Sequence, residues 1–84
     1  MQVAVDVSLY PLDPDFVPPI KDVIARFNRH AGLKITTNAM STQIFGEYDA
    51  VMQALHTEIA TSFSKLPHAV FTIRILNNPV TRNT

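Results

Sequence analysis

Asn38-Ala39-Met40-Ser41-Thr42-Gln43-Ile44-Phe45-Gly46-Glu47-Tyr48-Asp49 reads as a tight polar connection, a short strand and the start of a helix. The link Ala39 to Ser41 has hairpin length. It joins a strand over Leu33 to Asn38, where Leu33, Ile35 and Thr37 alternate with Lys34, Thr36 and Asn38, to a strand over Thr42 to Gly46. The helix that follows carries an apolar stripe of Tyr48, Val51, Met52, Leu55, Ile59 and Phe63, with Asp49 as a favourable N-terminal charge. Lys65-Leu66-Pro67 ends it.

Both flanks repeat this grammar. Upstream, Val3, Val5, Val7 and Leu9 alternate with Ala4, Asp6, Ser8 and Tyr10, a strand with one buried face over Gln2 to Tyr10. Pro11-Leu12-Asp13-Pro14 closes it. A helix should then open with Asp15 as an N-cap-like acid and Pro18 and Pro19 in its first turn. Its stripe is Ile20, Val23, Ile24, Phe27 and Ala31, and Gly32 should stop it in a left-handed conformation. Downstream, Ala69 to Leu76 is a fourth strand, Asn77-Asn78-Pro79 closes it, and 77–84 reads as a loose tail. The order βαββαβ predicts an α+β, ferredoxin-like sandwich: an antiparallel sheet of order 4-1-3-2 with both helices on one face.

The totals agree. Eighty-four residues make one domain, 1–84, with a core over about 2–76. A chain this short buries only about 60–65% of its unfolded surface. An apolar content of 46% is high for that size and hints at a subunit interface. Seven basic and seven acidic residues cancel, so no basic stripe points to nucleic acid. The absence of cysteine excludes disulfides, thiolate catalysis and cysteine-ligated metals. No signal-peptide pattern or membrane-length apolar run is visible, so a cytoplasmic protein without a membrane partner is expected.

The sheet face away from the helices must meet water, ligand or another subunit. Alternation places there Asp6, Ser8 and Tyr10, Lys34, Thr36 and Asn38, Ser41, Gln43 and Phe45, and Val70, Thr72 and Arg74. With strands one and three antiparallel neighbours, Ser8 and Tyr10 should meet Ser41 and Gln43, and the hairpin should bring Asn38 and Met40 to the same corner. Asp6 is unusual in mid-strand. It can be solvated, paired with Arg74 or Lys34, or turned to a ligand. Tyr10 and Phe45 suit either a subunit interface or a ligand, and Met40 suits interface packing. His30, His56 and His68 lack metal spacing, and Arg26 with Arg29 reads as a solvated helix end. An acylphosphatase-like phosphate cradle needs arginine and glycine in the first strand–helix loop, and neither occurs there. RNA binding would need paired aromatics with basic residues. No hydroxyl nucleophile has an evident base, and no paired acids or P-loop occur.

Ser8-Leu9-Tyr10-Pro11-Leu12, Pro19-Ile20-Lys21, Met40-Ser41-Thr42 and Phe45-Gly46-Glu47-Tyr48-Asp49 together resemble the YkoF-like thiamine-binding family, over about residues 2–76. The resemblance implies binding of thiamine or its hydroxymethylpyrimidine part, no catalysis, no further cofactor, and homodimers or homotetramers formed through the sheets. The candidate ligand-binding residues are Asp6, Ser8, Tyr10, Asn38, Met40, Ser41, Thr42 and Phe45. Hydroxyl and amide groups suit the pyrimidine, while a carboxylate or an aromatic face suits the thiazolium cation. Without clustered Lys or Arg at the corner, the unphosphorylated vitamin fits better than its diphosphate. An ACT-like module sensing another metabolite and a purely structural oligomer remain alternatives.

Overall fold

The computed structural model describes residues 1–77 and 79. Its elements are β1 (Gln2–Tyr10), α1 (Val17–Phe27), β2 (Lys34–Thr37), β3 (Thr42–Glu47), α2 (Tyr48–Lys65) and β4 (Val70–Asn77). The sheet order is β2-β3-β1-β4, every pairing antiparallel, and both helices pack on one face. This is the ferredoxin-like sandwich expected. Asn77 belongs to β4; the rest of the expected tail, apart from Pro79, lies outside the described residues.

The β1 alternation sets the core. Val3, Val5, Val7 and Leu9 are buried beneath the helices with Val23, Phe27, Ile44, Val51 and Leu55. Each such side chain contributes roughly 1.5–3 kcal/mol of gross hydrophobic stabilisation. Gly46 is a close-approach glycine. A Cβ there would lie 2.7 Å from Leu33 Cδ2, so any larger residue would have to displace the Leu33 side chain, while Val51 Cγ2 of α2 stands at an ordinary contact distance of 3.4 Å.

Several boundaries and environments differ from expectation. The N-cap of α1 is Phe16, not Asp15; the Asp15 N–H instead turns back to Asp13 Oδ1 at 2.8 Å. The helix also stops at Phe27, before Ala31. The Asn28 side chain bonds back to the Ile24 carbonyl at 2.8 Å, and the N–H groups of Arg29 and His30 take tighter bonds to Arg26 and Phe27. Gly32 is left-handed as expected (φ 80°), but in the turn before β2 rather than at the helix end. Strand β2 loses Leu33 and Asn38 from its ends. Phe63 is half exposed, its ring set against Phe71 at 5.6 Å instead of inside the core.

The largest departure is Arg26. It is buried between the helices rather than solvated. Its guanidinium donates to Glu58 Oε1 at 2.7 Å, the Glu58 carbonyl at 3.1 Å, Ser62 Oγ at 2.6 Å and Asp22 Oδ2 at 3.1 Å. His30 Nε2 lies 2.7 Å from the other Glu58 carboxylate oxygen. Glu58 and Ser62 extend the buried seam of Val51 and Leu55, so polar groups fill the end of the helix interface.

Candidate functional site

Ladder pairing explains why one corner of the sheet is open. Strand β1 pairs with β3 only as far as Val7 opposite Thr42. With β4 it continues through Ser8, Leu9 and Tyr10, opposite Thr72, Phe71 and Val70. Beyond Val7 the β3 side of β1 has no strand partner, because the chain turns away through Ser41 and Met40. That leaves main-chain groups along Ser8–Tyr10 open to an incoming molecule.

Asn38 builds the turn. Its N–H donates to the Ser41 carbonyl at 3.1 Å, and its Oδ1 accepts from the N–H groups of Met40 at 2.8 Å and Ser41 at 3.1 Å. This side-chain mimic of a turn is what asparagine does well. Its amide NH2 makes no hydrogen bond among the described residues. Across the gap Ser8 Oγ donates weakly to the Met40 carbonyl at 3.4 Å. At the end of β1, Leu12 takes a left-handed backbone (φ 57°), which costs a non-glycine residue about 1–2 kcal/mol.

Cavities lie on both sides of this corner. One, of about 230 Å³, runs between α1 and the sheet. Its walls include Leu9, Ile20, Ile24, Phe27 and Phe71, and its polar rim includes Ser8, Tyr10, Asn38, Ser41 and Thr42, with Met40 beside them. The other, of about 360 Å³, lies on the open face and is lined by Asp6, Ser8, Tyr10, Met40, Ser41, Thr72, Ile73 and Arg74. Ser8, Tyr10, Met40 and Ser41 border both.

Asp6 stands in a row across the sheet, with Gln43 opposite on β3, Thr36 beyond it and Arg74 opposite on β4. Arg74 Nε donates to Asp6 Oδ2 at 3.0 Å and a terminal guanidinium nitrogen adds a second bond. Asp6 Oδ1 is shielded from solvent and lacks a hydrogen-bond partner of good geometry among the described residues. Gln43 Nε2 donates to Ser41 Oγ at 2.7 Å, leaving the serine proton free to turn toward that oxygen. The nearby Ser41 hydroxyl first, then Arg74, hold the Asp6 carboxyl below the ordinary carboxylate range. Asp6 in turn raises the Arg74 guanidinium above its usual value.

The structure therefore brings together Asp6, Ser8, Tyr10, Asn38, Met40 and Ser41. The other two residues named from sequence are placed differently. Thr42 faces the helices, is buried, shares a 3.0 Å hydroxyl contact with Thr37, and reaches the site only through the cavity beneath α1. Phe45 lies opposite Ala4, six residues along β1 from Tyr10, or about 20 Å. It lines a further depression on the open face with Gln43 and Leu76, one that Asp6 and Arg74 also border. The cavity beneath α1 is what sequence reasoning missed, whereas the Asp6–Arg74 pair is one of the alternatives it offered. Ile20, Ile24 and Phe27 show the same period whether the core under them is filled or hollow. No group of three or more His, Asp or Glu side chains placed to hold a metal occurs among the described residues.

Comparison with known proteins accords with this architecture. A family model described as thiamine-binding protein matches residues 5–84. No curated protein matches the chain. Among solved structures, a hypothetical protein of Methanocaldococcus jannascii is 27% identical, with a TM-score of 0.82 over 99% of this chain and 87% of its own. A Streptococcus pneumoniae protein is 18% identical, with a TM-score of 0.85 over 95% of this chain and 90% of its own. A candidate thiamine biosynthesis/salvage protein of Thermotoga maritima is 19% identical, with a TM-score of 0.69 over 89% and 82%. The last two likenesses speak to the fold.

Proposed function

The chain belongs to the thiamine-binding protein family, and we propose that it is a non-enzymatic binder of thiamine or its hydroxymethylpyrimidine part. The observation that carries this reading is the corner at Ser8–Tyr10, where strand β1 has lost its β3 partner between two cavities. An aminopyrimidine is flat and apolar on its faces and presents donors and acceptors at its edge. The cavity beneath α1 offers apolar walls and a rim of hydroxyl, amide and main-chain groups. The thiazolium then faces the open side, toward Asp6 and the exposed ring of Tyr10.

Binding suits this corner better than catalysis. Ser8 turns to the Met40 carbonyl, and the carboxylate beside Ser41, that of Asp6, is paired with Arg74 and held below the ordinary carboxylate range, which makes it a poor base. Among the described residues Arg74, already bonded to Asp6, is the one cation lining either cavity, which favours the unphosphorylated vitamin over its diphosphate. Exposed Tyr10, Phe45, Val70 and Leu76 support assembly of the protein through its sheets.

The test is to follow backbone amide resonances during titration with hydroxymethylpyrimidine. Shifts should concentrate in Ser8–Tyr10 and Asn38–Thr42 and spare Phe45 and Gly46. A response centred on Phe45 would move the site to the other end of the sheet. Ser41→Ala should weaken binding about two- to tenfold, the usual effect of removing one neutral hydrogen bond; calorimetry of the two proteins reads this directly.

A further inference from the structure

We infer that Arg74 is a displaceable counterion, held against the carboxylate that a cationic ligand would use, and that it sets how far the site favours a cationic ligand over a neutral one. The inference rests on the binding function proposed above, and concerns a residue that function does not itself require.

Arg74 and Asp6 are directly opposite on neighbouring strands and line the same open-face cavity. The two partners are held very differently. The Asp6 side chain is 25% exposed, whereas that of Arg74 is 86% exposed. Among the described residues both hydrogen bonds of the guanidinium go to Asp6 Oδ2, and nothing else fixes it. The arginine can therefore swing into water without disturbing the core. The carboxylate cannot move as easily, since it sits in the sheet beside Ser41 and Gln43.

Without a ligand cation, the guanidinium keeps a largely shielded carboxylate from standing without a counter-charge. A ligand cation arriving at the cavity meets that carboxylate already neutralised. To pair with Asp6 it must first replace the guanidinium, which then rehydrates. Exchange of this kind is easy because exposed ion pairs are weak, yet it subtracts from the affinity for any cation. A neutral pyrimidine gains nothing from Asp6 as a charge and is untouched by the exchange. Arg74 thus lowers the preference for a cation without touching the ligand's neutral ring.

The experiment compares wild type, Arg74→Gln and the double variant Asp6→Asn/Arg74→Gln. Each is titrated calorimetrically with thiamine and with hydroxymethylpyrimidine at mildly alkaline pH, where the pyrimidine is uncharged. Arg74→Gln should bind thiamine about two- to fivefold more tightly, with binding of the pyrimidine unchanged. The double variant should lose that gain. Equal change for both ligands, or weaker thiamine binding by Arg74→Gln, would overturn the inference while leaving wild-type binding intact. Failure of wild type to bind either ligand would overturn the proposed function and this inference with it. Unchanged thermal unfolding of each variant establishes that the comparison is between folded proteins.

Discussion

Arg26→Ala is expected to lower the free energy of unfolding by about 3–5 kcal/mol, the range for removing one partner of a buried ion pair. The side chains of Arg26 and Glu58 are 8% and 9% exposed and meet at 2.7 Å. Taking away the guanidinium leaves the Glu58 carboxylate buried with only His30 beside it and strands Ser62 Oγ. Replacing both charges with apolar groups of similar volume, Arg26→Met with Glu58→Leu, should recover most of the loss, because no unpaired charge then remains. The pair also imposes a pH dependence. Burial pushes the Glu58 carboxyl up, but the bonds from His30 and Arg26 outweigh it, and the net result lies below the ordinary value of 4.5. A depressed folded pKa means the contribution is fully present above that ordinary value and is lost as pH falls through the lower folded one. The stability gap between wild type and Arg26→Ala should therefore narrow in acid. Urea unfolding at neutral pH and below pH 4.5 measures both effects. A gap that stays constant would contradict the role given to Glu58.

Phe27→Ala should cost about 3–5 kcal/mol, the usual range for truncating a fully buried phenylalanine. Phe27 is 1% exposed and contacts the helix-facing residues of β1 and β3. It also forms part of the floor of the cavity beneath α1. Truncation thus enlarges a space that is already hollow, and its walls have little to collapse onto. An 84-residue chain has only roughly 4–13 kcal/mol of stability in total, so the variant should be partly unfolded when warm. Phe27→Leu is the milder control. Guanidinium unfolding followed by circular dichroism gives the numbers, and a loss below about 1 kcal/mol would show that Phe27 is not a keystone of the core.

The fold was legible because each strand carries its own alternation. Val3, Val5, Val7 and Leu9 against Asp6, Ser8 and Tyr10 fix which face of β1 is buried, and the hairpin at Asn38–Ser41 fixes the register of β3 against β2 and is brought to the end of β1 by the antiparallel β1–β3 pairing. The corner of the site follows from those two facts. What was not legible arose where polar groups are buried. By its charge Arg26 reads as a solvated helix-end residue, but its position is set by Glu58 and Ser62, which recur at helical spacing with Val51 and Leu55. That spacing was available in the sequence; the charge obscured it. The end of α1 was misjudged for a local reason, the competing bond from the Asn28 side chain. Thr42 is named with the corner and Phe45 as an aromatic on the open face, yet alternation turns the first to the helix side and register carries the second along the strand. The hollow beneath α1 could not be read at all, since periodicity reports which side chains face inward and not whether they meet.

The most direct test of the binding function is calorimetric titration of the protein with thiamine, hydroxymethylpyrimidine and thiamine diphosphate. Micromolar or tighter binding of thiamine is expected, about −8 kcal/mol or better, with the pyrimidine retaining much of it and the diphosphate binding more weakly. No heat with any of the three, or a clear preference for the diphosphate, would contradict that expectation.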